Sequence, residues 1–236
     1  MQVNSAAPDQ LPGNSRDFED FIYIVSHDVR NSVRALIEVP QWIGEDLRDM
    51  GVPIRGALSE NLEMMNTHTK RLDRMLMDLL VFSRIGRMQS VVEVNLAEAM
   101  ENLCQEIRWP SRIRLDLALQ QKTLRIGEQD RMTLLTALLS NSLRHSDAQT
   151  SLIRFASWRE GDETVLSFVD DGPGIAPRYR ERVFGAMTTL KSRDEVEGSG
   201  MGLAHVRKII SHYGATLRWI ELPSERGVGF EMRFPV

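Results

Sequence analysis

Between residues 18 and 36 the apolar positions Phe18, Phe21, Ile22, Val25, Val29, Val33 and Leu36 recur at intervals that fit one face of a helix. The opposite stripe is polar: Asp20, Tyr23, His27, Arg30, Asn31, Arg34 and Glu38. The segment "DMGVPIRG" then breaks the pattern, with turn chemistry at Gly51 and Pro53. A second helix, roughly 54 to 86, carries Leu58, Leu62, Met65, Thr69, Leu72, Leu76 and Leu79 in alternating steps of four and three. That spacing is the seam of a coiled coil or helical bundle. Two helices cannot cover such stripes alone, so the hairpin is expected to dimerise into a four-helix bundle. The methionines at 64, 65, 75 and 77 follow or flank the seam and are expected as core filler. Pro40 lies inside the first helix and is expected to bend or interrupt it, as a hinge or as a tolerated kink.

From residue 91 the periodicity changes. "SVVEVNL" predicts a strand, "LAEAMENLCQEI" a helix, and "RIRLDLAL" an alternating strand. An amphipathic helix is expected from about 128 to 146, followed by paired strands in "TSLIRFASW" and "TVLSFVDDGPGI". "MGLAHVRKIISHYG" predicts a helix closed by Gly214, and "ATLRWIEL" with "GVGFEMRFPV" a terminal hairpin. The order implies an α+β sandwich, with helices on one face of a mixed sheet. The chain therefore divides into a polar tail or linker stump at 1–16, a helical hairpin at 17–90 and a sandwich at 91–236.

Composition narrows the function classes. Apolar residues make up 42% of the chain and charged residues 26%, enough for a real core. A net charge of −4 offers no footprint for nucleic acid or an anionic membrane. No stretch has the length of a membrane span and no secretory signal precedes the first helix, so the expected location is cytoplasmic. The single cysteine, Cys104, excludes an intrachain disulfide and is expected on a buried helix face.

The chemistry concentrates in glycines after strands: Gly172 and Gly174 in "DDGPGI", then Gly198, Gly200 and Gly202 in "GSGMGLA". Glycine lets backbone N–H groups approach a ligand, and a following helix N-terminus favours an anion. Neither stretch is a Walker loop or a dinucleotide fingerprint. The order of residues says more. Asn141, late in a helix, precedes Asp170 at the end of an apolar strand, and "GSGMGLAHVRKII" then opens a helix.

This constellation resembles the ATP-binding domain of the gyrase, heat-shock-ninety, histidine-kinase and mismatch-repair superfamily. With "SHDVRN" and "RLDRMLMDLLVFSRIGR" ahead of it, the chain resembles the sensor histidine kinases of two-component systems. "FSRIGR" and "LKSRDEVEGSGMGLA" are most similar to their phytochrome-type and PAS-linked branch. The resemblance implies a dimeric four-helix bundle followed by a Bergerat-type ATP-binding sandwich, and it implies roles. Asp170 would accept a hydrogen bond from the adenine amino group. Asn141 would coordinate Mg²⁺ on the phosphates. Arg144, where the family usually has lysine, and His145, where it often has an aromatic residue, would reach phosphates. Gly172, Gly174, Gly198, Gly200 and Gly202 would shape the ATP site. The polar stretch "GAMTTLKSRDEVE" is expected as a flexible lid, with Phe184 and Met187 as apolar anchors and Lys191 or Arg193 near the γ-phosphate.

His27 would be the phosphoacceptor, with Asp28 orienting the ring and taking its proton. Asn31, one turn further on, would position water for dephosphorylation of the partner. Ser32 stands where the family commonly has proline, and Ala137 where many relatives have a first asparagine. His68, His205 and His212 form no ligand-like cluster and are expected to be structural or solvated. The expected activity is an ATP-dependent autokinase and a phosphatase acting on a response regulator receiver domain. The alternatives are a phosphotransfer or scaffolding protein with a non-catalytic ATP-binding-like domain, and an ATPase clamp or serine kinase of the same superfamily. A sensor domain is expected upstream in a longer chain or on a partner.

Overall fold

The computed structural model describes residues 13–87, 89–107, 109–191, 198–223 and 226–236, with residues 13–18 as backbone alone. It divides into two compact units, Met1–Ser83 and Arg84–Val236. Of the segment 17–90 expected as the hairpin, residues 84–87, 89 and 90 fall in the second unit.

In the first unit, α1 (Gly13–Asp49) and α2 (Ala57–Arg84, its last residue counted with the second unit) flank the expected turn. Gly51 and Gly56 both take positive φ there, the left-handed conformation that glycine adopts without strain. Arg30 Nε donates to Asp73 Oδ1 at 3.1 Å, tying α1 to α2 one turn beyond His27. Pro40 does not interrupt α1, contrary to one sequence expectation. Its ring is buried, and the single backbone bond it withholds from Leu36 is a local loss that a 37-residue helix absorbs. Within one chain the apolar stripe of α1 is largely uncovered: Phe21 is 59% and Leu36 51% exposed, with Val25 and Val29 also open, whereas Val33 is buried. The seam methionines were expected as core filler of a dimeric bundle, and two of them remain open within one chain. Met64 and Met65 are exposed, because each helix of a pair covers only one side of its neighbour.

The second unit contains a five-stranded sheet in the order β2-β4-β5-β7-β6. Its strands are β2 (Arg114–Leu119), β4 (Leu152–Glu160), β5 (Glu163–Asp170), β6 (Thr216–Trp219) and β7 (Val228–Pro235). The β2–β4 pairing is parallel and the others antiparallel, giving the expected mixed sheet. A separate antiparallel pair joins β1 (Val91–Asn95) to β3 (Thr123–Gly127). The short segment β3 was not anticipated; its alternation rests on two residues, Leu124 and Ile126. Three helices, α3 (Leu96–Glu106), α4 (Glu128–Arg144) and α5 (Gly202–His212), share one core with the sheet.

Strand alternation builds that core in rows. Phe155, Phe168 and Phe230 are register partners across β4, β5 and β7, and Ser157, Leu166 and Met232 form the neighbouring row. The row on the other side is Ile153, Asp170 and Val228. Asp170 therefore occupies an inward position of β5, level with two apolar neighbours. Leu134, Leu135 and Leu138 of α4, with Val206 and Ile209 of α5, complete the core. No described helix is long and apolar enough to cross a membrane.

Phe168 lies in the row next to Asp170, so Phe168→Ala is expected to destabilise the second unit by about 3–5 kcal/mol. Urea unfolding followed by tryptophan fluorescence measures this, since Trp219 packs 4.7 Å from the Phe230 ring.

Candidate functional site

Helix α4 brings Ala137, Ser140, Asn141 and Arg144 to one face by their three- and four-residue spacing. These residues form one wall of a cavity of about 1060 Å³, measured with its open mouth. The opposite walls are Asp170, Gly172, Gly174 and Ile175 after β5, and Gly198, Gly200, Gly202 and Leu203 at the start of α5. Thr188, Thr189, Leu190 and Lys191 line it from the loop before α5. All ten residues expected at the ATP site, Asn141, Arg144, His145, Asp170, Gly172, Gly174, Lys191, Gly198, Gly200 and Gly202, thus line a single cavity.

Asp170 is only 5% exposed. Its Oδ1 accepts from the backbone N–H of Gly172 at 3.0 Å and of Val228 at 3.1 Å, and its Oδ2 from the Ser142 hydroxyl. Burial pushes its pKa above the ordinary carboxylate value, and those three donors oppose the rise by favouring the charged form. Ser142 escaped the sequence reading, although its place beside Asn141 at the end of α4 was a usable signal. Asp171 points elsewhere. Burial also disfavours its charge, but bonds from Leu152 and Ser151 outweigh that and hold it low, fastening the turn after β5 to the start of β4. Arg226 closes the same corner, donating to Asp147 at 2.9 Å and to the Asp171 carbonyl at 3.3 Å.

Gly200 shows why glycine is required in its loop. Its φ is +76°, and an added Cβ would lie 2.6 Å from the Thr188 carbonyl oxygen. Arg144 reaches the same loop, since a Cβ on Gly198 would lie 3.1 Å from its Nη1. Burial, then the charges of Lys191 and Arg144, hold the His145 imidazole below its usual pKa, so it is neutral beside two cations. Leu203, Val228, Ile175 and Val183 supply apolar wall that no motif marked.

Phe184 is buried against Trp219 and Phe230, both at 5.9 Å in edge-on contact. Met187, expected as a second apolar anchor, instead exposes its side chain and adopts a φ of 57°. Its backbone N–H carries the contact, donating to Met201 Sδ at 3.3 Å. Residues 192–197, the last part of the expected lid and with them Arg193, lie outside the described residues.

On the hairpin, His27 is exposed and its Nδ1 lies 3.2 Å from Asp28 Oδ1. The Tyr23 ring is near-parallel to the imidazole at 6.4 Å. Asn31 is exposed one turn further along. The described residues contain no group of three His, Cys, Asp or Glu side chains able to hold a metal. Asn141 offers a neutral amide oxygen in the cavity, which suits a hard cation that arrives already bound to phosphates. His68 and His212 are exposed and His205 is buried. Cys104 is half-buried, and burial pushes its thiol pKa up.

Residues 127–236 match the family of histidine kinase-, DNA gyrase B-, and HSP90-like ATPases. The methanogenesis regulatory histidine kinase FilI of Methanothrix harundinacea is 32% identical over 92% of the chain and 24% of its own length. Cyanobacterial phytochrome A of Nostoc is 25% identical over 96% of the chain and 29% of its own length. The chain thus spans less than a third of the length of each of these relatives. The crystal structure of full-length ShkA in complex with AMPPNP shares the fold, with a TM-score of 0.68 at 18% identity over 92% of the chain and 46% of ShkA.

Gly200→Ala is expected to lower the affinity of the cavity for an adenine nucleotide by about tenfold or more, since both the φ and the close carbonyl oppose a side chain. Titration with a fluorescent ATP analogue measures it, with circular dichroism expected to stay that of the wild type.

Proposed function

The chain belongs to the sensor histidine kinases of two-component systems, and from that premise we propose that it is an ATP-dependent autokinase whose phosphoacceptor is His27. The observation that carries the reading is the single cavity that unites Asn141, Asp170, Arg144, Lys191 and both glycine stretches. Asp170 fits the adenine amino group because its carboxylate is an acceptor fixed by three donors, with an edge left for one more. Arg144 and Lys191 fit the triphosphate by charge, and the start of α5 adds backbone N–H groups that no described side chain caps. Asn141 is the residue that would hold Mg²⁺ together with phosphate oxygens; when bound, the ion supplies charge neutralisation at the triphosphate.

The residues of the hairpin do the acceptor chemistry. The tautomer that donates Nδ1–H to Asp28 leaves the lone pair on Nε2, facing solvent. Nε2 attacks the γ-phosphorus, a P–N bond forms, and the bond from phosphorus to the β,γ-bridging oxygen breaks. ADP leaves with that electron pair. The imidazolium then gives its Nδ1 proton to Asp28. The rate depends on bringing Nε2 within reach of the γ-phosphorus in line with the leaving oxygen.

From phosphohistidine the group passes to an aspartate on a response regulator receiver domain. Asn31, on the face of His27, positions the water that hydrolyses the aspartyl phosphate of the regulator, releasing inorganic phosphate and the free aspartate. The working form is a homodimer. The open stripe of Phe21, Val25, Val29 and Leu36 supports this, being an apolar helix face of the kind that pairs in bundles.

Incubation with ATP labelled at the γ-phosphate is expected to label the wild type, with label stable in alkali and lost in acid, and to leave His27→Gln unlabelled. Label that persists in His27→Gln would overturn the assignment.

A further inference from the structure

The residues just after α2 form a latch on the ATP-binding unit. Ile85 is buried in its core. The Gly86 N–H donates to Asp130 Oδ2 at 2.9 Å. Asp130 is buried at the start of α4, and the same oxygen accepts from the Tyr213 hydroxyl at 2.7 Å. The Tyr213 oxygen in turn accepts from the Gly127 N–H at 2.9 Å. Three segments therefore converge on one carboxylate oxygen: the exit from α2, the N-terminus of α4 and the C-terminus of α5. Gly86 has a φ of +76°, and a Cβ there would lie 2.3 Å from the His212 ring, so the approach is closed to other residues. A second tie follows, with Gln129 N–H donating to Gln89 Oε1 at 3.0 Å, which satisfies a first-turn donor of α4. Burial and the bond to Asp130 push the Tyr213 phenol pKa up, so its hydroxyl remains a donor at neutral pH.

The placement of this latch bears on the transfer. Helix α4 carries Asp130 near its first residue and Asn141 and Arg144 near its last; α5 carries Gly202 at its first residue and is followed by Tyr213. The two helices that line the nucleotide cavity at one end thus hold the interdomain connection at the other. We infer that Asp130 and Tyr213 are positioning residues for phosphoryl transfer, fixing the segment through which the ATP-binding unit is joined to the hairpin that bears His27. The inference rests on the autokinase reading and deepens it. Neither residue lines the cavity, so loosening the latch leaves nucleotide affinity intact and slows the transfer.

The test uses the full chain, with Tyr213→Phe, Asp130→Asn and the double variant. Nucleotide affinity is read with a fluorescent ATP analogue, and single-turnover labelling of His27 is followed across ATP concentrations. Each single variant is expected to bind nucleotide within about twofold of the wild type and to label about tenfold more slowly at saturating ATP, with half-saturation unchanged. The double variant is expected to be no slower than the slower single, because both side chains act through one latch. Amide exchange at Gly86 is expected to accelerate in Tyr213→Phe. A labelling rate equal to the wild type, an affinity that falls in step with the rate, or unchanged exchange at Gly86 would each overturn the inference. A wild type that binds nucleotide without taking label would overturn the autokinase reading as well, which separates that failure from a failure of the latch alone.

Discussion

The cavity depends on a carboxylate placed where strand alternation calls for an apolar residue. Asp170 shares its row with Ile153 and Val228, and it is tolerated there because Ser142, Gly172 and Val228 all donate to it. Those bonds also join the end of α4, the turn after β5 and the start of β7 at one point. A buried polar group that ties three elements specifies the shape of the site as well as its charge. The apolar row of Phe155, Phe168 and Phe230 behind it supplies the rigidity, and Asp171, turned the other way, fixes the same turn to β4.

Much of this was legible in the sequence. The periodic helices and the strands with clear alternation were found where expected, because a long amphipathic segment repeats its signal many times. The glycine stretches pointed to the cavity because backbone crowding at Gly200 leaves no room for a side chain. The failures have equally local causes. Strand β3 is too short to alternate convincingly, and its pairing with β1 is set by the tertiary fold. Met187 matched an anchor by chemistry, yet it is exposed, with a positive φ and its backbone N–H bonded to Met201 Sδ. The position of Ser142 beside Asn141 hinted at the site, but a serine in a helix does not announce a partner 28 residues away.

The hairpin and the ATP-binding unit are built on different economies. The hairpin leaves an apolar stripe open and sets His27 beside Asp28 on an exposed face, with Arg30 and Asp73 keeping the helices in register. The ATP-binding unit buries its core and concentrates polar chemistry at two ends of α4, the cavity at one and the Asp130 latch at the other. The proposed autokinase reaction draws on both units, the hairpin for its acceptor His27 and the ATP-binding unit for the nucleotide cavity.

The central claim is that the Asp170 carboxylate selects adenine. It is tested most directly by comparing the affinity of the chain for ATP and for inosine triphosphate, which carries a carbonyl in place of the amino group. The account predicts that ATP binds about tenfold or more tightly, because two acceptors face each other in the inosine complex, and that Asp170→Asn narrows or reverses the preference. Equal affinities for the two nucleotides in the wild type would contradict it.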